Sequence, residues 1–150
     1  MMTFQVESVS EVIAEMETLN LLHWKEIATH KHIKKLNPDY DRYYTLEDLG
    51  MLRIYTARYN DELVGYFISM LAPHMHYREL NVAVNDILYI LPAHRGSTCG
   101  YRLIKGAILD LKNNTDTQIV CIHMKVQHPF RPLLKKLGFD QTEENWEVQL

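Results

Sequence analysis

The amino-acid sequence predicts a mixed α+β fold, a mostly antiparallel sheet with helices on both faces. Three observations predict it. Apolar residues recur at helical spacing in some stretches and at strand spacing in others. Two β-rich runs in the middle of the chain meet at a hairpin turn signal. Further on, a strand, a helix and a second strand follow one another as a βαβ crossover. At 150 residues and 17.7 kDa, the chain fits one domain over residues 1–150, long enough to bury a real core.

Each element has its own signal. Thr3 to Val6 reads as a first strand. Ser8-Val9-Ser10-Glu11 has the form of a capping box, in which serine and glutamate satisfy each other's orphan N–H groups. Val9, Val12, Ile13, Met16 and Leu19 follow at the spacing of one helix face, which predicts a helix to about His30. Asn37-Pro38-Asp39 marks a loop, and Thr45-Leu46-Glu47-Asp48 is a second box that predicts the start of a short helix. Leu52 to Tyr59 and Leu63 to Leu71 are β-rich runs around Asn60-Asp61-Glu62, and Pro73 ends the second or puts it at an edge. Val82 to Leu91 is a third strand, apolar on both faces except at Asn85 and Asp86.

A helix follows with Cys99, Leu103, Ile104, Ala107, Ile108 and Leu111 on one side, stopped by Asn113-Asn114. Gln118 to Val126 predicts another mostly buried strand. Pro129 opens a last helix that ends at Gly138 with Lys135 and Lys136 in its final turn. Phe139 to Leu150 predicts a closing strand. The order is β-α-α-β-β-β-α-β-α-β, with no linker or repeat to divide it.

Composition narrows the function classes. No apolar run approaches the roughly 20 residues that span a bilayer, and the N-terminus lacks the basic start and apolar core of a signal peptide. Cys99 and Cys121 are too few for a disulfide-stapled scaffold, so a cytoplasmic location without membrane is the expectation. A formal charge of −3 gives no pull toward nucleic acid. Charge is nevertheless uneven. His23 to Lys35 carries four lysines and three histidines against Glu26, while Glu143, Glu144 and Glu147 cluster near the end. Solvated faces or a docking surface for an acidic partner both fit that pattern. His74 and His76 are part of a metal set with no third ligand, so no metal is expected.

The most informative run is Ile90 to Leu103. It reads as a strand end, a turn with Arg95 and Gly96, and the first turn of a helix, so several N–H groups and a helix dipole converge on one small space suited to a phosphate.

With these elements in place, the chain resembles the GNAT superfamily of acetyl-CoA-dependent N-acyltransferases. Arg95-Gly96-Ser97-Thr98-Cys99-Gly100 is similar to the family's Arg/Gln-x-x-Gly-x-Gly/Ala, preceded by Ile90-Leu91-Pro92 for Val/Ile-x-Pro. Leu133-Leu134-Lys135-Lys136-Leu137-Gly138-Phe139 is similar to its Leu-Tyr-x-Lys-x-Gly-Phe. The resemblance implies the GNAT fold and acetyl transfer to a primary amine of a small molecule or protein. It also implies a coenzyme seat. Backbone groups near Ile90 and Leu91 would bond the pantetheine arm, and N–H groups from Arg95 through Gly96, Ser97, Thr98 and Cys99 to Gly100 would cradle the pyrophosphate, with Tyr101 completing the set. For the Arg95 side chain, a surface ion pair with a neighbouring acid is the alternative. An amine acceptor is the expected partner, and a homodimer is compatible with the resemblance.

Catalysis needs a base. Many members use a carboxylate on the fourth strand, and Asp86 is there, placed by strand alternation with Val84, Leu88 and Ile90. The alternative is an aspartate bonded to a loop. His128, just after the fifth strand, is a second candidate base or acid. Tyr40, Tyr43 and Tyr44 fall where the family closes its acceptor pocket. Cys99 at the helix start is either reactive or packed beneath the helix. Two positions depart from the pattern: Thr98 replaces its first glycine, and Leu134 replaces the tyrosine that commonly protonates the leaving thiolate, leaving Tyr89 and Tyr101 as other donors. These departures give a second reading, a catalytically weak or inactive module that binds the coenzyme or another protein.

Overall fold

The structure is a computed structural model that describes residues 1–150. Strand β1 (Met2–Glu7) leads into helix α1 (Val9–Ile27), whose start is the expected capping box: the Glu11 carboxylate accepts the Ser8 N–H at 2.7 Å and the Ser8 hydroxyl at 2.8 Å. Helix α2 (Tyr40–Asp48) starts earlier than the second box implies. Asp39 caps it by accepting the Arg42 N–H at 3.0 Å, and Thr45 lies inside, its hydroxyl donating back to the Asp41 carbonyl at 2.9 Å.

Strands β2 (Leu52–Tyr59) and β3 (Glu62–Pro73) form the hairpin. Asn60 and Asp61 both take positive φ, 49° and 69°, and close Tyr59 onto Glu62 as a two-residue turn. Strand β4 (Asn81–Ile90) runs antiparallel to β3 and is followed by a 3₁₀ turn (Pro92–His94) and helix α3 (Cys99–Asn114). Strand β5 (Ile119–Cys121) returns parallel to β4, and helix α4 (Arg131–Lys136) follows it. The sheet order is β1-β2-β3-β4-β5, antiparallel except for the last pair.

Two cores form, one on each face of the sheet. Val12 and Met16 of α1 pack on Ile54, Tyr66 and Ile68. On the opposite face Cys99, Leu103, Ala107 and Leu111 of α3 pack on Tyr55, Phe67 and Ala83. Cys99 is buried, and burial pushes its thiol pKa up, so it is a packing residue rather than a reactive one. Ile108 is only half-buried, at the margin of the expected α3 face.

Two expected strands differ. The run Gln118 to Val126 pairs with β4 only over Ile119–Cys121, because β4 bulges and β5 turns away from it. The closing strand over residues 139–150 does not form. Trp146, Val148 and Leu150 keep the strand period but lie exposed, and no neighbouring strand offers them a ladder. The acidic tail instead meets the basic loop, with the Lys34 ammonium donating to both carboxylate oxygens of Glu147 at 3.3 Å. That loop lies beyond α1, which ends at Ile27 rather than near His30. His74 and His76 lie in the turn after β3.

Candidate functional site

The site begins with a defect in β4. Ile68 pairs with Ile87 and Ser69 with Asn85, so Asp86 is an extra residue, a β-bulge. The bulge breaks the alternation that would put Asp86 beside Leu88 and Ile90. Those two pack on the α3 side, whereas Ile87 and Tyr89 pack on the α1 side and Asp86 reaches Tyr43 of α2. A single inserted residue thus re-aims the carboxylate toward α1 and α2. On the other edge of β4, pairing with β5 stops at Val84 and Cys121. Beyond that point the β4 backbone groups that face away from β3 meet no strand, and a gap opens between β4 and β5.

At the top of this gap the chain turns into α3. Gly96 has φ of +74°, a conformation that glycine adopts without strain. Thr98 has φ of −79°, so the position where the family pattern has glycine needs none here. The N–H groups of Gly96, Ser97, Thr98, Gly100 and Tyr101 donate to no acceptor in the protein. Neighbouring donors are engaged: Cys99 N–H bonds the Ser97 hydroxyl at 3.2 Å, Arg95 N–H the Pro92 carbonyl at 3.1 Å and Leu91 N–H the Val64 carbonyl at 2.8 Å. The free donors stand together at a helix N-terminus, the arrangement that receives an anion. A Cβ at Gly100 would lie 3.3 Å from Leu133 Cδ2 and 3.4 Å from Ile90 Cδ1, so even a methyl group would press on the ends of these two side chains. The ammonium groups of Lys105 and Lys136 lie 5.5 and 5.0 Å from the Tyr101 ring centroid and add positive charge beside the loop.

The Arg95 side chain turns away from this cradle. Its guanidinium donates to both Glu26 carboxylate oxygens at 2.5 and 2.9 Å and to the Ile90 carbonyl at 2.7 Å, and it lies 5.2 Å from the Tyr89 ring centroid. Of its two readings, the ion pair is the one present. Arg95 therefore braces α1 against the end of β4, and the hydrogen bonds from Arg95 hold the Glu26 carboxyl below the usual carboxylate range.

On the α1 side of β4 a polar aromatic cluster faces Asp86. The Tyr43 hydroxyl donates to Asp86. Burial, with the Asp86 charge behind it, raises the Tyr43 pKa far above the ordinary value, so that hydroxyl keeps its proton. Tyr40 lies 6.0 Å from Tyr43, centroid to centroid, and its hydroxyl accepts from the Asn20 amide at 3.4 Å. Buried His23 stacks on Tyr89 at 4.6 Å and shares a 3.0 Å hydrogen bond with the Tyr66 hydroxyl. Burial pulls its pKa down to about 4, which leaves it neutral at pH 7. Sequence reasoning missed His23, Glu26 and Tyr66 because their partners lie far away in the chain. The polar interruptions of an apolar helix face at Asn20 and His23 were the one available signal.

The other candidates fall around this centre. His128 is exposed in the turn after β5, its backbone N–H bonded to the Lys125 carbonyl at 3.1 Å, and it makes no hydrogen bond to Asp86. Leu134 is half-buried on α4. No cluster of His, Cys, Asp or Glu is placed to hold a metal ion. No helix is long and apolar enough to cross a membrane. A cleft of about 730 Å³ opens at the other end of the sheet, between residues 6–8, 47–54 and 114–117, and shares no residue with this site.

Comparison with known proteins agrees with the architecture. The model of the Acetyltransferase (GNAT) family matches residues 17–139. The ribosomal-protein-alanine N-acetyltransferase of Brucella melitensis biovar Abortus 2308 superposes with a TM-score of 0.73 at 16% identity, covering 100% of this chain and 99% of that one. An aminoglycoside acetyltransferase from an uncultured soil metagenomic sample gives 0.76 at 15% identity, with 100% and 99% covered. A predicted acetyltransferase from Clostridium acetobutylicum, solved with acetyl-CoA, gives 0.70 at 15% identity, with 99% and 96% covered. At such identities these structures share the fold alone. No curated protein sequence matches the chain. Because the family model spans most of the sequence, the chain belongs to the GNAT family of acetyltransferases.

Proposed function

We propose that the protein transfers the acetyl group of acetyl-CoA to a primary amine of a small molecule or protein. The observation that carries this reading is the set of unpaired N–H groups on Gly96, Ser97, Thr98, Gly100 and Tyr101 at the end of a strand that has parted from its neighbour. That set suits the pyrophosphate of the coenzyme, and the gap between β4 and β5 suits its amide-bearing arm. When bound, acetyl-CoA supplies the activated thioester.

The chain's own residues supply the rest. Asp86, turned by the bulge toward α2, is the base that takes a proton from the incoming ammonium, directly or through water. Tyr43 holds the Asp86 carboxylate in place through its hydrogen bond, and Tyr40 and Tyr43 give the amine an aromatic wall. The bidentate ion pair of Arg95 and Glu26, itself partly exposed, ties the end of β4 to α1. His128, in the turn after β5, is the further candidate for proton movement. Leu134 offers no proton to a departing thiolate. This favours a second reading, in which the coenzyme is bound with little turnover.

Free-thiol release from acetyl-CoA over a panel of amines, including small polyamines and peptides with free N-termini, tests the proposal. Amine-dependent release that is lost in Asp86→Asn supports transfer. Coenzyme binding with no release from any amine supports the second reading.

A further inference from the structure

Where β5 leaves β4, one side chain takes over from the backbone. The ladder runs through Val82 with Ile119, Ala83 with Val120 and Val84 with Cys121, and then stops. At the next β4 position the Asn85 amide reaches across the gap. Its Oδ1 accepts the His123 N–H at 2.6 Å and its Nδ2 donates to the His123 carbonyl at 3.1 Å. Both backbone groups that His123 would offer to a ladder are thus bonded to a side-chain amide, which has the same donor and acceptor as a peptide unit.

The consequence is geometric. Paired strands lie about 4.8 Å apart. The Asn85 amide stands two carbon–carbon bonds out from its own Cα, so a strand bonded to it is held further from β4 than a ladder partner would be. The same contacts give both backbone groups of the exposed His123 a partner where the ladder ends. Asp86, the bulged residue, follows immediately. The rung and the bulge therefore stand side by side, one setting where the gap begins and the other aiming the carboxylate.

We infer that Asn85 is a positioning residue whose side-chain amide sets the width of the gap between β4 and β5, and through it the seat of the coenzyme arm. The inference rests on the coenzyme reading proposed above. Without the amide, the His123 backbone loses both partners and β5 is left unanchored beyond Cys121. This weakens binding of the carrier without touching the amine side, which Asp86 and Tyr43 form. Asn85→Asp keeps the acceptor for the His123 N–H but loses the donor to its carbonyl, and so belongs between wild type and Asn85→Ala.

Calorimetric titration with acetyl-CoA of the wild type, Asn85→Asp and Asn85→Ala tests this, with hydrogen exchange at the His123 amide as a readout independent of the coenzyme. The expected result is a dissociation constant raised about tenfold in Asn85→Ala, less in Asn85→Asp. His123 exchange should be fast only in the alanine variant. Any turnover should show a raised KM for acetyl-CoA with the KM for the amine unchanged. Unchanged binding in Asn85→Ala, or an equal loss in both variants, overturns the inference while the coenzyme reading stands. Failure of the wild type to bind acetyl-CoA overturns the coenzyme reading and the inference with it. Should Asn85→Ala not fold, the aspartate variant decides alone: wild-type affinity with slow His123 exchange would contradict the proposed role.

Discussion

Asp86 and Tyr43 are 43 residues apart in sequence, and the bulge brings them into contact. Replacing Asp86 by Asn keeps the shape and removes the basic oxygen. For the proposed reaction this lowers kcat by ~10²–10⁴-fold while acetyl-CoA affinity stays unchanged, which steady-state kinetics and titration read separately. His23 makes a different prediction. Its pKa in the fold is about 4, against an ordinary value of 6.5, because burial disfavours the imidazolium. As pH falls below 6.5 the unfolded chain binds a proton that the fold refuses, so stability is present above that value and declines toward pH 4. Denaturation midpoints between these pH values should show the decline, and His23→Gln should flatten it.

At the scale of elements, β1, β2 and α1 are tied by charge. Arg58 on β2 donates to both Glu7 oxygens, at 2.9 and 3.0 Å, and to Glu15 at 2.8 Å, with only a tenth of the Arg58 and Glu7 side chains exposed. Burial opposes the Glu7 charge, but hydrogen bonds from Arg58 and Thr56 outweigh it and hold its pKa below the ordinary 4.5. Its contribution to stability is therefore complete above that pH and is lost as the pH falls through the lower folded value. Arg58→Ala leaves a buried carboxylate uncompensated and should cost about 3–5 kcal/mol in chemical denaturation. Most elements were legible because their signals are local: the Ser8 box, the turn at Asn60, the apolar face of α3, the Gly96 turn. The bulge was not, since one extra residue on β4 shows only when its register with β3 is fixed by packing on both faces. Strand alternation therefore set Asp86 on the face of Leu88 and Ile90, whereas the bulge turns it toward Tyr43. The tail failed for the opposite reason. Trp146, Val148 and Leu150 carry a strand period, but a strand exists only beside another strand.

The molecule as a whole is two cores separated by a sheet whose far edge parts. Helices α1 and α2 cover one face of the sheet and α3 the other, and β4 belongs to both cores. The surface pairing of Lys34 with Glu147 is exposed on both partners and contributes little, so Glu147→Gln should move the melting temperature by about a degree or less. Tight packing at Gly100 matters far more. Gly100→Leu would displace α3 from Leu133 and Ile90, and it should abolish carrier binding before it abolishes folding. The central claim, that the loop from Gly96 to Tyr101 receives acetyl-CoA, is tested most directly by the thermal stability of the unmodified protein with and without the coenzyme. At about 100 times its dissociation constant, acetyl-CoA should add ~2.7 kcal/mol, a rise of several degrees that saturates with concentration. An unchanged melting temperature at millimolar acetyl-CoA would contradict the account.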